Sequence, residues 1–198
     1  MLMPALPSRR AALIGVGAGL AALPRPASAW AWLLGARLPD PRDPATTLES
    51  VEDAVSRLLP LPEITVPALA ARMEADMPRP LVLFDVRTEE EFATGHLPGA
   101  IRVDPGLSAA AFAATHGTRI AGADVVLYCA VGWRSGVLLE RVRGRIAAHA
   151  PASTANLRGG MFRWHAEGLK LIASSSPGLV HPFDDAWEML LRRIVPRG

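Results

Sequence analysis

The chain holds a single cysteine, Cys129, and the residue types that could do chemistry gather around it. An apolar run, Val125-Val126-Leu127-Tyr128, stops at Cys129; Ala130, Val131, Gly132 and Trp133 follow as a short loop, and a helix-like segment begins near Arg134. Amide groups at the start of a helix lack intrahelical acceptors and point at whatever precedes them. The helix dipole adds partial positive charge at the same end, so an anion placed there is stabilised. A thiol in such a setting ionises more readily than a free one, and the thiolate is the nucleophile. Cys129 therefore reads as a nucleophile; the competing reading is a small buried hydrophobe. Gly132 suits a close amide approach or a positive φ, and Trp133 suits a pocket wall or a shield over the sulfur. The Arg134 guanidinium can hold an anionic substrate or steady the thiolate, or else pair with a strand-end carboxylate. Ser135 reads as a hydrogen bonder at the helix start, since no Ser-His-Asp arrangement accompanies it.

The elements that must position these residues alternate in the α/β manner. Strands are predicted at 64–66, 81–86, 101–103, 125–128 and 156–158, with helices at 67–75, 107–115, 134–148 and 161–167. Short connections between alternating strands and helices imply a parallel sheet covered on both faces. Ligands of such sheets bind beyond the carboxyl ends of the strands. Cys129 and Asp85 both sit at such ends. Asp85 is expected to accept loop amides or fix an arginine, with a plain strand-end cap as the alternative. Arg87 is divided between loop support and a surface ion pair. Thr88 and Glu91 form a capping box, which accounts for the glutamates there without chemistry. His96, His116, His149, His165 and His181 lack metal-ligand spacing, so no metal site is expected.

Three segments carry a family resemblance. The run Leu83-Phe84-Asp85-Val86-Arg87-Thr88-Glu89-Glu90-Glu91-Phe92-Ala93-Thr94-Gly95-His96-Leu97-Pro98-Gly99-Ala100-Ile101, the loop from Cys129 to Ser135, and Gly159-Gly160-Met161-Phe162-Arg163-Trp164-His165-Ala166-Glu167-Gly168-Leu169 resemble, in order and spacing, the signatures of the rhodanese homology family. The resemblance implies a three-layer domain over 63–172, a central parallel sheet with helices on both faces. It also implies a sulfurtransferase that carries sulfane sulfur as a Cys129 persulfide, from a donor such as thiosulfate to a thiol or cyanide, without a cofactor. From Cys129 to Arg134 the loop spans six residues, as in the family's sulfurtransferases; its cell-division-cycle phosphatases place one more residue there. Ala130 and Val131 are uncharged where many thiosulfate-using members carry Arg or Lys, which puts thiosulfate as the donor in question. The alternative function is a non-catalytic or redox-active binding module on the same fold, docking a periplasmic partner.

The remaining sequence reads as additions to that domain. Residues 1–29 resemble a twin-arginine export signal: Arg9 and Arg10 precede an apolar stretch, and Ala27-Ser28-Ala29 offers cleavage before Trp30. The mature protein is then expected in a periplasm, with a membrane attachment only if the signal stays uncleaved. Without Arg9, Arg10 and Arg25 the chain keeps 18 basic against 19 acidic side chains, and a nucleic-acid partner loses its electrostatic basis. Residues 30–62 form an extension, with a proline-rich linker at 38–44 and then Leu48, Val51, Val55 and Leu58 at helical spacing. The tail, 173–198, presents Phe183, Trp187, Leu190, Leu191 and Ile194 as a helical apolar face. It is expected to pack over the domain or to dock a protein partner.

Overall fold

The computed structural model describes residues 38–75, 78–172, 180–194 and 196. The segment read as an export signal and residues 173–179 of the tail lie outside them. Five strands, β1 Glu63–Ile64, β2 Leu81–Asp85, β3 Ile101–Arg102, β4 Asp124–Tyr128 and β5 Ser153–Leu157, form one parallel sheet in the order β1-β5-β4-β2-β3. The central strand β4 is buried along its whole length, as its unbroken apolar run requires of a strand covered on both faces. Side chains alternate across a strand, so β2 and β4 feed two layers. Val82, Phe84, Val125 and Leu127 meet Phe112 and Leu138 on one face. Leu83, Val126 and Tyr128 meet Leu69, Met161 and Trp164 on the other.

The helices are α1 Leu48–Leu58, α2 Val66–Glu74, α3 Glu89–Thr94, α4 Ala109–Ile120, α5 Trp133–Ile146, α6 Gly160–Ala166 and α7 Asp185–Arg193. Side chains of Thr47, Thr65, Thr88, Ser108 and Asp184 each accept an amide at the start of a helix, satisfying donors that would otherwise be orphaned. The Thr88–Glu91 capping box forms as the sequence predicts. Local chemistry moves several boundaries. Thr65 is a cap and not a strand residue, so β1 ends at Ile64. Ser108 delays α4 to Ala109, and the helix continues to Ile120. The last strand begins at Ser153, where Asp124 pairs with it; its polar, partly exposed first half carries no apolar signature.

A third cluster lies over the Cys129 loop and is built from the additions. Val51 and Val55 of α1 and Leu190 of α7 pack with Val131, Trp133 and Phe162. The tail thus lays its apolar face on the domain. Ion pairs secure α1: Arg163 Nε donates to Glu52 Oε1 at 2.7 Å, and Arg158 Nη2 to Asp53 Oδ1 at 2.6 Å. Arg193, at the end of α7, sends Nη2 to the carbonyls of Pro41, Asp43 and Thr46 at 2.9, 3.2 and 3.3 Å. Extension and tail are joined to each other above the site. No helix among the described residues is long and apolar enough to cross a membrane.

Leu190 is 2 % exposed, so Leu190→Ala is expected to cost about 2–5 kcal/mol. Urea denaturation followed by circular dichroism checks this, and a cost near zero would show that α7 does not belong to the cooperative unit.

Candidate active site

Cys129 is buried at the carboxyl end of β4, one residue past Tyr128. The chain then turns so that Gly132, with φ +91°, becomes the N-cap of α5. No acceptor is seen for the amides of Ala130 to Ser135 among the described residues. These are the amides that the sequence analysis expects to serve an anion beside the thiol. The carbonyls of the same loop are satisfied from behind. The Met161 amide donates to Cys129 O at 2.8 Å and the Phe162 amide to Ala130 O at 2.9 Å. Gly132 O accepts from Asn156 Nδ2 at 2.9 Å. Gly159 and Gly160, at φ +70° and +52°, let α6 come this close. A Cβ on Gly160 would collide with the Cys129 carbonyl oxygen and stand 2.8 Å from that of Ala130.

Arg134 stands in the first turn of α5, and its partner corrects the sequence reading. Its Nη1 and Nη2 donate to Glu91 Oε2 and Oε1 at 2.7 and 2.6 Å, a bidentate pair with the capping-box glutamate and not with a strand-end carboxylate. Glu91 thus does more than cap a helix. Burial opposes the charge on Arg134, but the Glu91 bonds and the Cys129 sulfur outweigh it and raise its pKa. Phe183 stacks on the same guanidinium, ring centroid 4.5 Å away. Asp85 fixes an arginine, as one of its expectations had it, but that arginine is Arg87: Nε and Nη2 reach its carboxylate at 2.9 and 2.6 Å. Neither reaches the loop. The pair is wholly buried, so Arg87 is not in a surface ion pair; its Nη2 also holds the Gly95 carbonyl at 2.6 Å. Ser135, in the first turn of α5, is a hydrogen bonder as expected and donates to Asn156 Oδ1 at 2.7 Å. Asn156, which the sequence reading passed over, therefore fixes the loop at Gly132 and the first turn of α5 at Ser135.

A cleft of ≈ 350 Å³ opens onto Cys129. Its walls include Leu38 and Pro39 from the extension, Trp133 from the loop, and Phe183 and Trp187 from the tail; Asp40, Arg42, Arg134 and Asp184 supply its charges. Among the described residues no cluster of His, Cys, Asp and Glu could hold a metal ion.

A family model described as a rhodanese-like domain matches residues 65–167. The chain belongs to the rhodanese-like family. A sulfurtransferase of Allochromatium vinosum is 32 % identical over 97 residues, which is 47 % of this chain and 79 % of that protein. The HTH-type transcriptional regulator Rv0324 of Mycobacterium tuberculosis is 34 % identical over 125 residues, 63 % of this chain and 47 % of the regulator. This rhodanese-like chain thus spans about half of the regulator's length. In fold it is similar to the thiosulfate sulfurtransferase of Pseudomonas aeruginosa, with a TM-score of 0.51, 21 % identity, and 72 % of this chain and 26 % of the other covered. The model's bounds leave out both segments that wall the cleft.

Two substitutions test the construction of the loop. Gly160→Ala is expected to lose about 1–3 kcal/mol by overpacking, measured by urea denaturation. Glu91→Gln strands a buried arginine and is expected to cost about 3–5 kcal/mol. Burial opposes ionisation of Glu91, but the Arg134 and Thr88 bonds prevail and hold its carboxyl below the ordinary 4.5. Because the folded value is the lower one, this contribution is complete above about pH 4.5 and disappears as pH falls through the folded value. Stability measured against pH should lose that acid limb in Glu91→Gln.

Proposed function

We propose that the protein is a sulfurtransferase that carries sulfane sulfur as a persulfide on Cys129. The observation that supports this best is the six-residue loop, whose amides lack acceptors on the Cys129 side while its carbonyls are held by α6 and Asn156. The thiolate attacks the outer sulfur of the donor. The bond between that sulfur and the donor's remainder breaks, and the leaving group departs with the electron pair. The new terminal sulfur keeps the negative charge and rests among the loop amides, which stabilise it as fixed donors without reorganising. A thiol or cyanide then attacks that terminal sulfur and frees the thiolate. No metal or cofactor enters these steps. Arg134, paired with Glu91 and set against the Cys129 sulfur, orients the first turn of α5 and keeps its positive charge beside the nucleophile. The short loop suits one sulfur atom and argues against phosphatase chemistry. Export to a periplasm is part of the proposal, and rests on the pattern of residues 1–29.

Mature protein starting at Trp30, incubated with a donor, is expected to gain the mass of one sulfur, reversed by cyanide. In Cys129→Ser the gain should vanish; sulfur loading that survives this change would refute the mechanism.

A further inference from the structure

Phe183 holds a backbone conformation that a bulky side chain rarely adopts: its φ is +79°, in the left-handed region. Such a conformation costs stability and persists only where the surroundings impose it. The neighbours of Phe183 do so. Its amide donates to His181 Nδ1 at 3.0 Å, and the next residue, Asp184, accepts the Trp187 amide at 3.0 Å as the cap of α7. The turn held by these two bonds sets the Phe183 ring in the wall of the cleft, on the Arg134 guanidinium, with 4.5 Å between ring centroid and Cζ.

That cation is the one set against the nucleophile. Glu91 binds both terminal nitrogens of Arg134, at 2.7 and 2.6 Å, and so fixes the plane of the guanidinium. The Arg134 side chain is 9 % exposed, and the Cys129 sulfur is among the groups that raise its pKa. Asp40, Arg42 and Asp184 are the other charged groups that line the cleft. Glu91 takes the edge of the guanidinium and Phe183 covers a face. An aromatic ring in that place attracts the cation and displaces water from it. Charges screened less by water act on each other more strongly.

Resting on the sulfur-transfer reading, we propose that Phe183 is a positioning residue of the site. Its ring seals a face of the Arg134 guanidinium against water from the cleft, so that the positive charge acts on the Cys129 thiolate and on the persulfide that replaces it. Phe183 works through Arg134. It lies outside the rhodanese-like match at 65–167, so the tail contributes to the electrostatics of the nucleophile as well as walling its cleft. The left-handed backbone at 183 is what holds the ring there.

Glycine adopts a positive φ without strain, so Phe183→Gly removes the ring while relaxing the backbone. In the full-length chain, alkylation of Cys129 by iodoacetamide is followed by intact mass as a function of pH. Each rate is scaled to the variant's own alkaline plateau, so that easier access through an opened cleft cancels. Phe183→Gly is expected to displace the profile toward alkaline pH, lowering the scaled rate on its acid limb about three- to tenfold. Phe183→Leu, which keeps apolar bulk for the packing of the tail, should move it in the same direction. Phe183→Tyr, which keeps the ring, should match the wild type. Urea denaturation shows which variants are folded, and if Phe183→Gly is not, the Leu and Tyr variants decide. Alkylation requires no sulfur donor, so the outcomes separate. Ring-free variants whose profiles superpose on the wild type overturn the proposal and leave sulfur transfer standing, and so does a Tyr variant displaced as far as they are. Displaced profiles in a protein that gains no sulfur from thiosulfate or a polysulfide uphold the action of Phe183 on Arg134 while the transfer reading fails.

Discussion

A loop that turns its amides toward one atom must turn carbonyls the other way, and in a buried site those carbonyls need donors. That constraint organises the molecule around Cys129. The amides of Met161 and Phe162 and the carboxamide of Asn156 meet it from behind the loop. Glycine at 160 lets α6 approach closely enough to serve. The sheet order then follows in function: β5 lies beside β4, so its carboxyl end delivers both Asn156 and the start of α6 to the loop that β4 begins. The loop's carbonyls at Cys129, Ala130 and Gly132 are thus held by its neighbours, while no acceptor is seen for its amides among the described residues.

Arg134 illustrates how charge is handled under the same burial. An unpaired guanidinium at this depth would carry a large desolvation cost, and Glu91 offsets it with two short bonds. The same carboxylate accepts the Thr88 amide at 3.0 Å, so the start of α3 and the start of α5 are fixed through one residue. The Asp85–Arg87 pair does the equivalent work one strand away, tying the end of β2 to the Gly95 carbonyl. Two buried ion pairs thus brace the connections that follow β2 and β4.

Much of this was legible in the sequence because it is local. The apolar run ending at Cys129, the Thr88–Glu91 box and the glycine at 132 each advertise themselves within a few residues, and the parallel sheet follows from their alternation. What could not be read is non-local. Glu91 meets Arg134 across 43 residues, and a capping role already explained it. Asn156 sits in a strand whose polar first half lacks the alternation that marks strands. The linker at 38–44 announces itself only as proline-rich, yet Leu38 and Pro39 become walls of the cleft because the tail draws that segment over the domain.

The bond from Arg193 to the carbonyls of Pro41, Asp43 and Thr46 joins positions about 150 residues apart. On the ribosome those partners emerge at opposite ends of synthesis, with the whole family domain made in between. A nascent chain that has released residues through 167 has Cys129 at the tip of a finished sheet but lacks the tail that walls its cleft. The tail therefore walls the Cys129 cleft only after the sheet that carries the thiol has been made.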